Sequence, residues 1–305
     1  MLKILKNHID WKRKQRNLES VCLLCKKERA SQRNSHIFPK FLTKSLHGNQ
    51  NKKASFIIGT NTTHLPPHKR QDTDKADYIL CSKCESFFSI LETYVSSSFH
   101  LALRNEKYAA DFTSHKSEEG VTWKVCERMD QQIFRLFLYS VIWRSSISNT
   151  IICKDFSLNP NEEELLREVL SNHVSVSKAE LDNKLKFPSR EFPLVTFFMF
   201  TAESFGEMSR NTIFVHPGLK NPYWVVLNEY ILYFSFNDNV DQARFGFLNN
   251  SDASKIKIGV FPLSFWEGQR KMIFNMLAED VSKHLQRTKQ IPWVIKQEQL
   301  GRGSQ

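Results

Sequence analysis

The chain has 305 residues, enough for two domains with cores of their own. Its 41% apolar and 25% charged residues exclude a disordered chain, and no run reaches the roughly 18 uncharged apolar residues of a membrane helix. Net charge is +11, but residues 1–75 carry 17 Lys and Arg against 5 Asp and Glu while the remainder is nearly neutral. So uneven a distribution points to a polyanionic partner, nucleic acid before an anionic membrane surface, against the plainer alternative of a well-solvated N-terminal face.

The N-terminus MLKILKNHIDWKRKQRN lacks the continuous apolar stretch of a signal peptide. A cytoplasmic protein is expected, where thiols stay reduced and six cysteines read as metal ligands or packed thiols rather than disulfides. Residues 1–20 read as a basic helix or arm. From Val21 to about Tyr78 the text is broken by Asn, Gly, Pro and Lys, with short β-like pieces at SHIF and SFIIGT and a polar loop from Thr60 to Lys75. From Cys84 to about Lys107, Phe87, Phe88, Leu91, Tyr94, Val95 and Phe99 recur at helical spacing, with Glu85, Ser89, Glu92 and Ser96 on another face.

Asp130 to Ser148 predicts a second helix, apolar almost all round and so central to the protein. Within it Trp143 reads as core and Arg144 as a snorkelling or ion-paired arginine. A third helix follows NPNEEELLREVL, whose glutamates fall where the helix dipole favours them. After about Phe187 the text becomes strand-like, through FPLVTFFMF, NTIFVH, YWVVLNEYILYFSF and KIKIGVF, with a hairpin at Asn228-Glu229. Leu263 to Leu285 predicts a helix lying on that sheet. The class expected is α+β, divided into an arm (1–20), a metal-stapled segment (21–110), a helical connecting region (111–186) and an α+β regulatory or recruitment domain with an antiparallel sheet (187–305).

Two C-x-x-C pairs, Cys22/Cys25 and Cys81/Cys84, can close a tetrahedral zinc site. The 55 residues between them exceed the roughly 15 to 20 of a zinc ribbon, so a subdomain pinned at both ends is expected. Cys126 and Cys153 stand alone and read as core thiols. Between the pairs lies SHIFPKF, where His36 interrupts a basic segment. Alone, such a histidine is more often structural; between two cysteine pairs it reads as catalytic. No role is assigned to His47, His64, His68 or His100.

A C-x-x-C pair, a strand carrying His followed by Ile-x-Pro, and a second C-x-x-C opening a helix resemble the zinc-bearing HNH endonucleases, the ββα-metal or His-Me finger group. The resemblance covers roughly residues 20 to 100. SHIFPKF, QDTDKADYILCSKCESFFSILE and VIWRSS are similar to a bacterial HNH-type subgroup, some of whose members are linked to phage defence. It implies a ββα-metal fold around the zinc and phosphodiester hydrolysis, with His36 as general base and the four cysteines on a structural zinc ion. Departures accompany it: Ser35 stands where the family usually has Asp, Glu85 where it usually has His or Asn, and the central Asn has no clean counterpart, with Asp77, Asp72 and Asn61 as candidates.

Magnesium or manganese prefers oxygen ligands, so Glu85, with Asp72 or Glu92 in support, is expected to hold a catalytic ion. Taken alone, Glu85 and Glu92 are also explained as solvated charges on a polar helix face. Lys12, Arg13, Lys14, Arg16, Arg33 and Lys40 are expected to grip phosphates, of DNA in first place. Two rivals stand beside a nuclease: a zinc-stabilised nucleic-acid binder whose site no longer cuts, and an interaction subunit of a larger assembly, docking through the β-rich half.

Overall fold

The structure, a computed structural model, describes residues 16–43, 55–57, 68–70, 74–150, 152–186, 195–203, 212–216, 218–220, 222–236, 246–250 and 255–288. The arm through Gln15, and with it Lys12, Arg13 and Lys14, lies outside the described residues, as do Asp72 and Asn61. No described helix is long and apolar enough to cross a membrane.

In chain order, strand β1 (Ser35–His36) is followed by the short helix α1 (Lys40–Thr43), strands β2 (Ser55–Ile57), β3 (His68–Arg70) and β4 (Lys75–Ala76), and helix α2 (Ser82–Val95). β1 pairs antiparallel with β4, and β2 with β3. Helix α2 keeps Phe87, Phe88, Leu91 and Val95 inward, as their spacing predicts. It then widens into a π-helical turn over Ser96–Leu101, where Ser97 Oγ donates back to the carbonyls of Thr93 and Tyr94, a competitor of the regular ladder.

Strands β5 (Phe112–Lys116) and β6 (Thr122–Cys126) come next, then helices α3 (Gln131–Ile147), α4 (Pro160–Asn172) and α5 (Lys178–Lys186). Asp130 caps α3 by accepting the N–H groups of Gln132 and Ile133 at 2.9 and 3.1 Å. Every residue from Ile133 to Ile147 is buried, because α3 runs between α2, α4 and the main sheet. Asn159 and Glu162 form a capping box that starts α4.

The remaining elements are β7 (Thr196–Ala202), β8 (Ile213–Val215), β9 (Tyr223–Leu227), β10 (Tyr230–Ser235), β11 (Ile256–Phe261) and α6 (Leu263–Thr288). Seven strands form one sheet in the order β5-β6-β11-β7-β10-β9-β8. The expected antiparallel sheet is in fact mixed, since β11 runs parallel to β7. The segment expected as a helical connecting region (111–186) opens with the β5-β6 hairpin, which pairs through β6 with β11 and extends the sheet. The hairpin between β9 and β10 turns at Asn228-Glu229, where Asn228 adopts φ 61°, a conformation asparagine tolerates.

Alternation along the strands divides the core in two. Phe197, Met199, Tyr223, Val225, Leu232 and Ile258 face α3 in one large cluster that also takes in Leu24, Ile37, Phe38, Leu80 and Phe87. Phe198, Phe200, Trp224 and Ile231 face the other way, against Trp266 and Ile273 of α6. With both faces covered, β7 and β9 are buried at every residue, which explains their unbroken apolar text. The cysteine-bearing segment shares its core with the helices.

Candidate metal centre and the residues around His36

The first cysteine pair sits in a tight turn. Cys22 N–H donates to the Glu28 carbonyl at 2.8 Å, Lys26 N–H donates to the Cys22 carbonyl at 3.0 Å, and Lys26 takes φ 53° to close the turn. The second pair opens α2, with Cys81 at its N-cap and Cys84 in its first turn. Leu23 N–H donates to the Ile79 carbonyl at 2.9 Å and joins the two. One ligand atom from each cysteine lies within 4.8 Å of the others, and this is the only cluster of three or more metal-capable side chains among the described residues.

Crowding separates the acidities of these thiols. Hydrogen bonding from Cys84 pulls the Cys22 thiol well below its usual range. The same contact pushes Cys84 up, and burial pushes Cys81 up. A divalent cation removes that conflict by stabilising all four thiolates, and four sulfurs at this spacing fit the tetrahedral preference of zinc. Cys126 and Cys153 are fully buried elsewhere, as core thiols.

His36 lies between the pairs on β1, opposite Lys75 of β4. Ile37 N–H donates to the Asp74 carbonyl at 3.1 Å, and the buried Ile37 and Phe38 anchor the strand in the core. Pro39 has no N–H to continue a ladder, and α1 starts immediately after it. Neighbouring side chains on a strand leave opposite faces. Ser35 is buried and its Oγ donates to Glu85 Oε2 at 2.8 Å, while His36 stays half-buried. Burial pushes the Glu85 carboxyl above its usual range, opposed by the Ser35 hydroxyl and by Arg144.

Arg144, read from the sequence as a snorkelling or ion-paired arginine, is ion-paired and also reaches the backbone of His36. It is 2% exposed, yet its Nη1 donates to the His36 carbonyl at 2.7 Å and pairs with Glu92 Oε1 at 2.7 Å. Its Nε donates to the Ser140 carbonyl at 3.2 Å, and its guanidinium carbon lies 4.9 Å from the Phe88 ring centre. Glu92 is thus neutralised by arginine. The available signal was a cation inside a helix apolar all round, which must find an anion or carbonyls.

Asp77 accepts the N–H of Asn34 at 2.7 Å and fixes the turn into β1, where Asn34 takes φ 57°. Arg33 is exposed, bonds the Tyr78 hydroxyl and lies over that ring with its guanidinium carbon 5.4 Å from the centre. Lys40 is exposed at the start of α1. Arg16, expected on phosphate, instead donates to the carbonyls of Tyr78, at 2.7 Å, and Val21. Its guanidinium is spent on backbone because that turn leaves two carbonyls without ladder partners.

On the far side of the first cysteine turn, Arg167 Nη1 donates to the Leu24 carbonyl at 2.8 Å, while Lys26 and Arg167 both grip Glu164. A cleft of about 370 Å³ lies there, walled by Leu23, Trp143, Ile147 and Pro160. Compared with protein-family models, with curated proteins and with solved structures, the chain matches none. The metal-capable cysteine cluster is thus the firm functional feature, and roles for the residues around it follow from chemistry alone.

Proposed function

We propose that the protein is a metal-dependent HNH-type endonuclease that hydrolyses phosphodiester bonds of nucleic acid, DNA in first place, as a bacterial defence effector in the cytoplasm. One observation carries this reading: Ser35 and Glu85, two of the positions at which the sequence departs from the family pattern, meet at 2.8 Å, Ser35 next to His36 on β1 and Glu85 next to Cys84 in the first turn of α2. In this reading zinc is structural, bound by Cys22, Cys25, Cys81 and Cys84.

A magnesium or manganese ion would be held by Glu85, with the Ser35 hydroxyl as a second oxygen donor and Asp72 as a further carboxylate. One or two carboxylates suffice for such an ion, which keeps most of its waters. When bound, it supplies charge stabilisation at the phosphate and the leaving oxygen. The His36 imidazole takes the proton from water as general base. Arg33 and Lys40 would hold flanking phosphates, contacts that give affinity without sequence choice. The sheet and α6 would recruit or restrain the site through a protein partner.

The test is incubation of purified protein with plasmid and with single-stranded DNA and RNA, in Mg²⁺, Mn²⁺ or chelator. Cleavage that needs the divalent ion supports the reading. One observation favours the binding-module alternative: Glu85 and Glu92 already have partners in Ser35 and Arg144. Salt-dependent binding without cleavage in any metal would select it.

A further inference from the structure

We infer that Arg144 is the positioning residue of this site: from α3, outside the cysteine-bearing segment, it fixes the backbone of His36 and withholds Glu92 from the metal, leaving Glu85 rather than Glu92 as the carboxylate that α2 offers the ion. This inference rests on the reading of His36 and Glu85 as base and metal ligand. Its basis is one guanidinium that serves both groups. Nη1 reaches the His36 carbonyl and Glu92 Oε1, each at 2.7 Å, while Nε is held by the Ser140 carbonyl one turn back and the plane rests on Phe88. A rigid planar fork held by helix and ring has little freedom to follow a moving partner.

The two-residue β1-β4 ladder is too short to fix His36 by itself. A bond from a buried side chain to the His36 carbonyl adds a further point of support to the β4 pairing and the Ile37 N–H to Asp74 carbonyl bond. Meanwhile Glu92, a carboxylate two helical turns beyond Glu85 on α2, has its charge balanced by a residue that cannot be deprotonated. The two effects pull in opposite directions when Arg144 is lost, and this separates positioning from simple support of the fold.

The experiment compares wild type with Arg144→Gln, Arg144→Lys and Glu85→Gln in the full chain, zinc-loaded. It reads three quantities: the His36 ¹³Cε1 resonance at fixed pH without Mg²⁺ or Mn²⁺, Mn²⁺ affinity by electron paramagnetic resonance, and cleavage rate. In Arg144→Gln the His36 resonance should move while those of His100 and His173 stay. Mn²⁺ should bind about threefold to tenfold more tightly, because a carboxylate is freed and a cation removed. The kcat should nevertheless fall about 10- to 100-fold with KM little changed, as loss of alignment predicts.

Arg144→Lys keeps the charge beside Glu92 but cannot serve both partners from one plane, so Mn²⁺ affinity should remain near wild type while kcat still falls. This variant decides the matter if Arg144→Gln does not fold. An unmoved His36 resonance, weakened Mn²⁺ binding in a folded Arg144→Gln protein, or full activity in Arg144→Lys would overturn the inference. If wild type neither cuts nor binds Mn²⁺ through Glu85, the nuclease reading fails, and the His36 resonance still decides whether Arg144 holds that strand.

Discussion

Replacing Cys81 by serine should do far more than remove one thiol. Cys81 is 2% exposed, caps α2 and lies with its Sγ 3.9 Å from that of Cys25, so it ties the helix to the first turn. Regular strand pairing around the cysteines is short: β1 and β4 share two residue pairs, and Val21 and Arg29 form an isolated bridge. Structural zinc contributes about 10–16 kcal/mol in small zinc-dependent folds, against a total stability of about 5–15 kcal/mol for an ordinary domain. Losing one of four ligands should therefore cost on the order of 5 kcal/mol. Because Leu24, Ile37, Phe38 and Leu80 belong to the same core as α3, and Arg167 and Arg144 bond the backbone of Leu24 and His36, the loss should reach the whole fold. The expected result is a fall in Tm of about 10 °C or more, as one transition. Zinc by mass spectrometry should drop from one ion per chain, and limited proteolysis should open the N-terminal third. Wild-type protein that is free of metal yet melts as high as the zinc-loaded form would refute the reasoning.

Three further outcomes are expected. His100 is buried between the Tyr230 hydroxyl and Arg104, and burial, then Arg104, lowers its pKa from 6.5 to about 3. The unfolded chain therefore takes up a proton below about pH 6.5 that the folded one refuses, so stability is full above that pH and falls by up to about 1.4 kcal/mol per unit down to about pH 3. His100→Asn should flatten denaturant-derived stability between pH 6 and 4; curves parallel to wild type would sink the argument. Gly259 pairs with Phe200 in the parallel ladder, and a Cβ there would stand 2.7 Å from Phe200 Cδ1 and 3.2 Å from Leu248 Cδ1. Gly259→Ala should cost about 1–3 kcal/mol by calorimetry, and an unchanged Tm would mean the sheet has slack there. Affinity for a DNA duplex should fall steeply with salt, and Arg33→Ala with Lys40→Ala should reduce the log-log slope by about 2; an unaltered slope would place the phosphates elsewhere.

What the text of the chain disclosed was local. The apolar run from Ile133 to Trp143 announces a buried helix, the pattern around Asn228-Glu229 announces a hairpin, and two C-x-x-C pairs announce a common site, because each signal lies within a few residues. The β5-β6 hairpin was hidden. Only Phe112 and Cys126 of its ends enter the main core, its middle is half-exposed and polar, and its partner β11 lies some 130 residues further on. The parallel β11-β7 contact is non-local in the same way, with no periodicity to mark it.

At the site, the cysteine cluster was legible from spacing, whereas the contacts of long polar side chains were not. Glu92 could be read as solvated or as supporting a metal and is found on Arg144. Arg16 could be read as a phosphate clamp and is found on two carbonyls. Helix periodicity assigns a residue to a face, but an arginine reaches whatever anion or carbonyl the tertiary fold brings near.

The most direct test of the central claim is cleavage by His36→Ala beside wild type in Mg²⁺ and Mn²⁺. Zinc content, Tm and salt-dependent DNA binding are measured on the same preparations. Under the proposed function the imidazole is a reactant, neither a zinc ligand nor a phosphate clamp. The account predicts that metal-dependent cutting disappears while zinc, folding and binding stay at wild-type values. A His36→Ala protein that still cuts at the wild-type rate would contradict it.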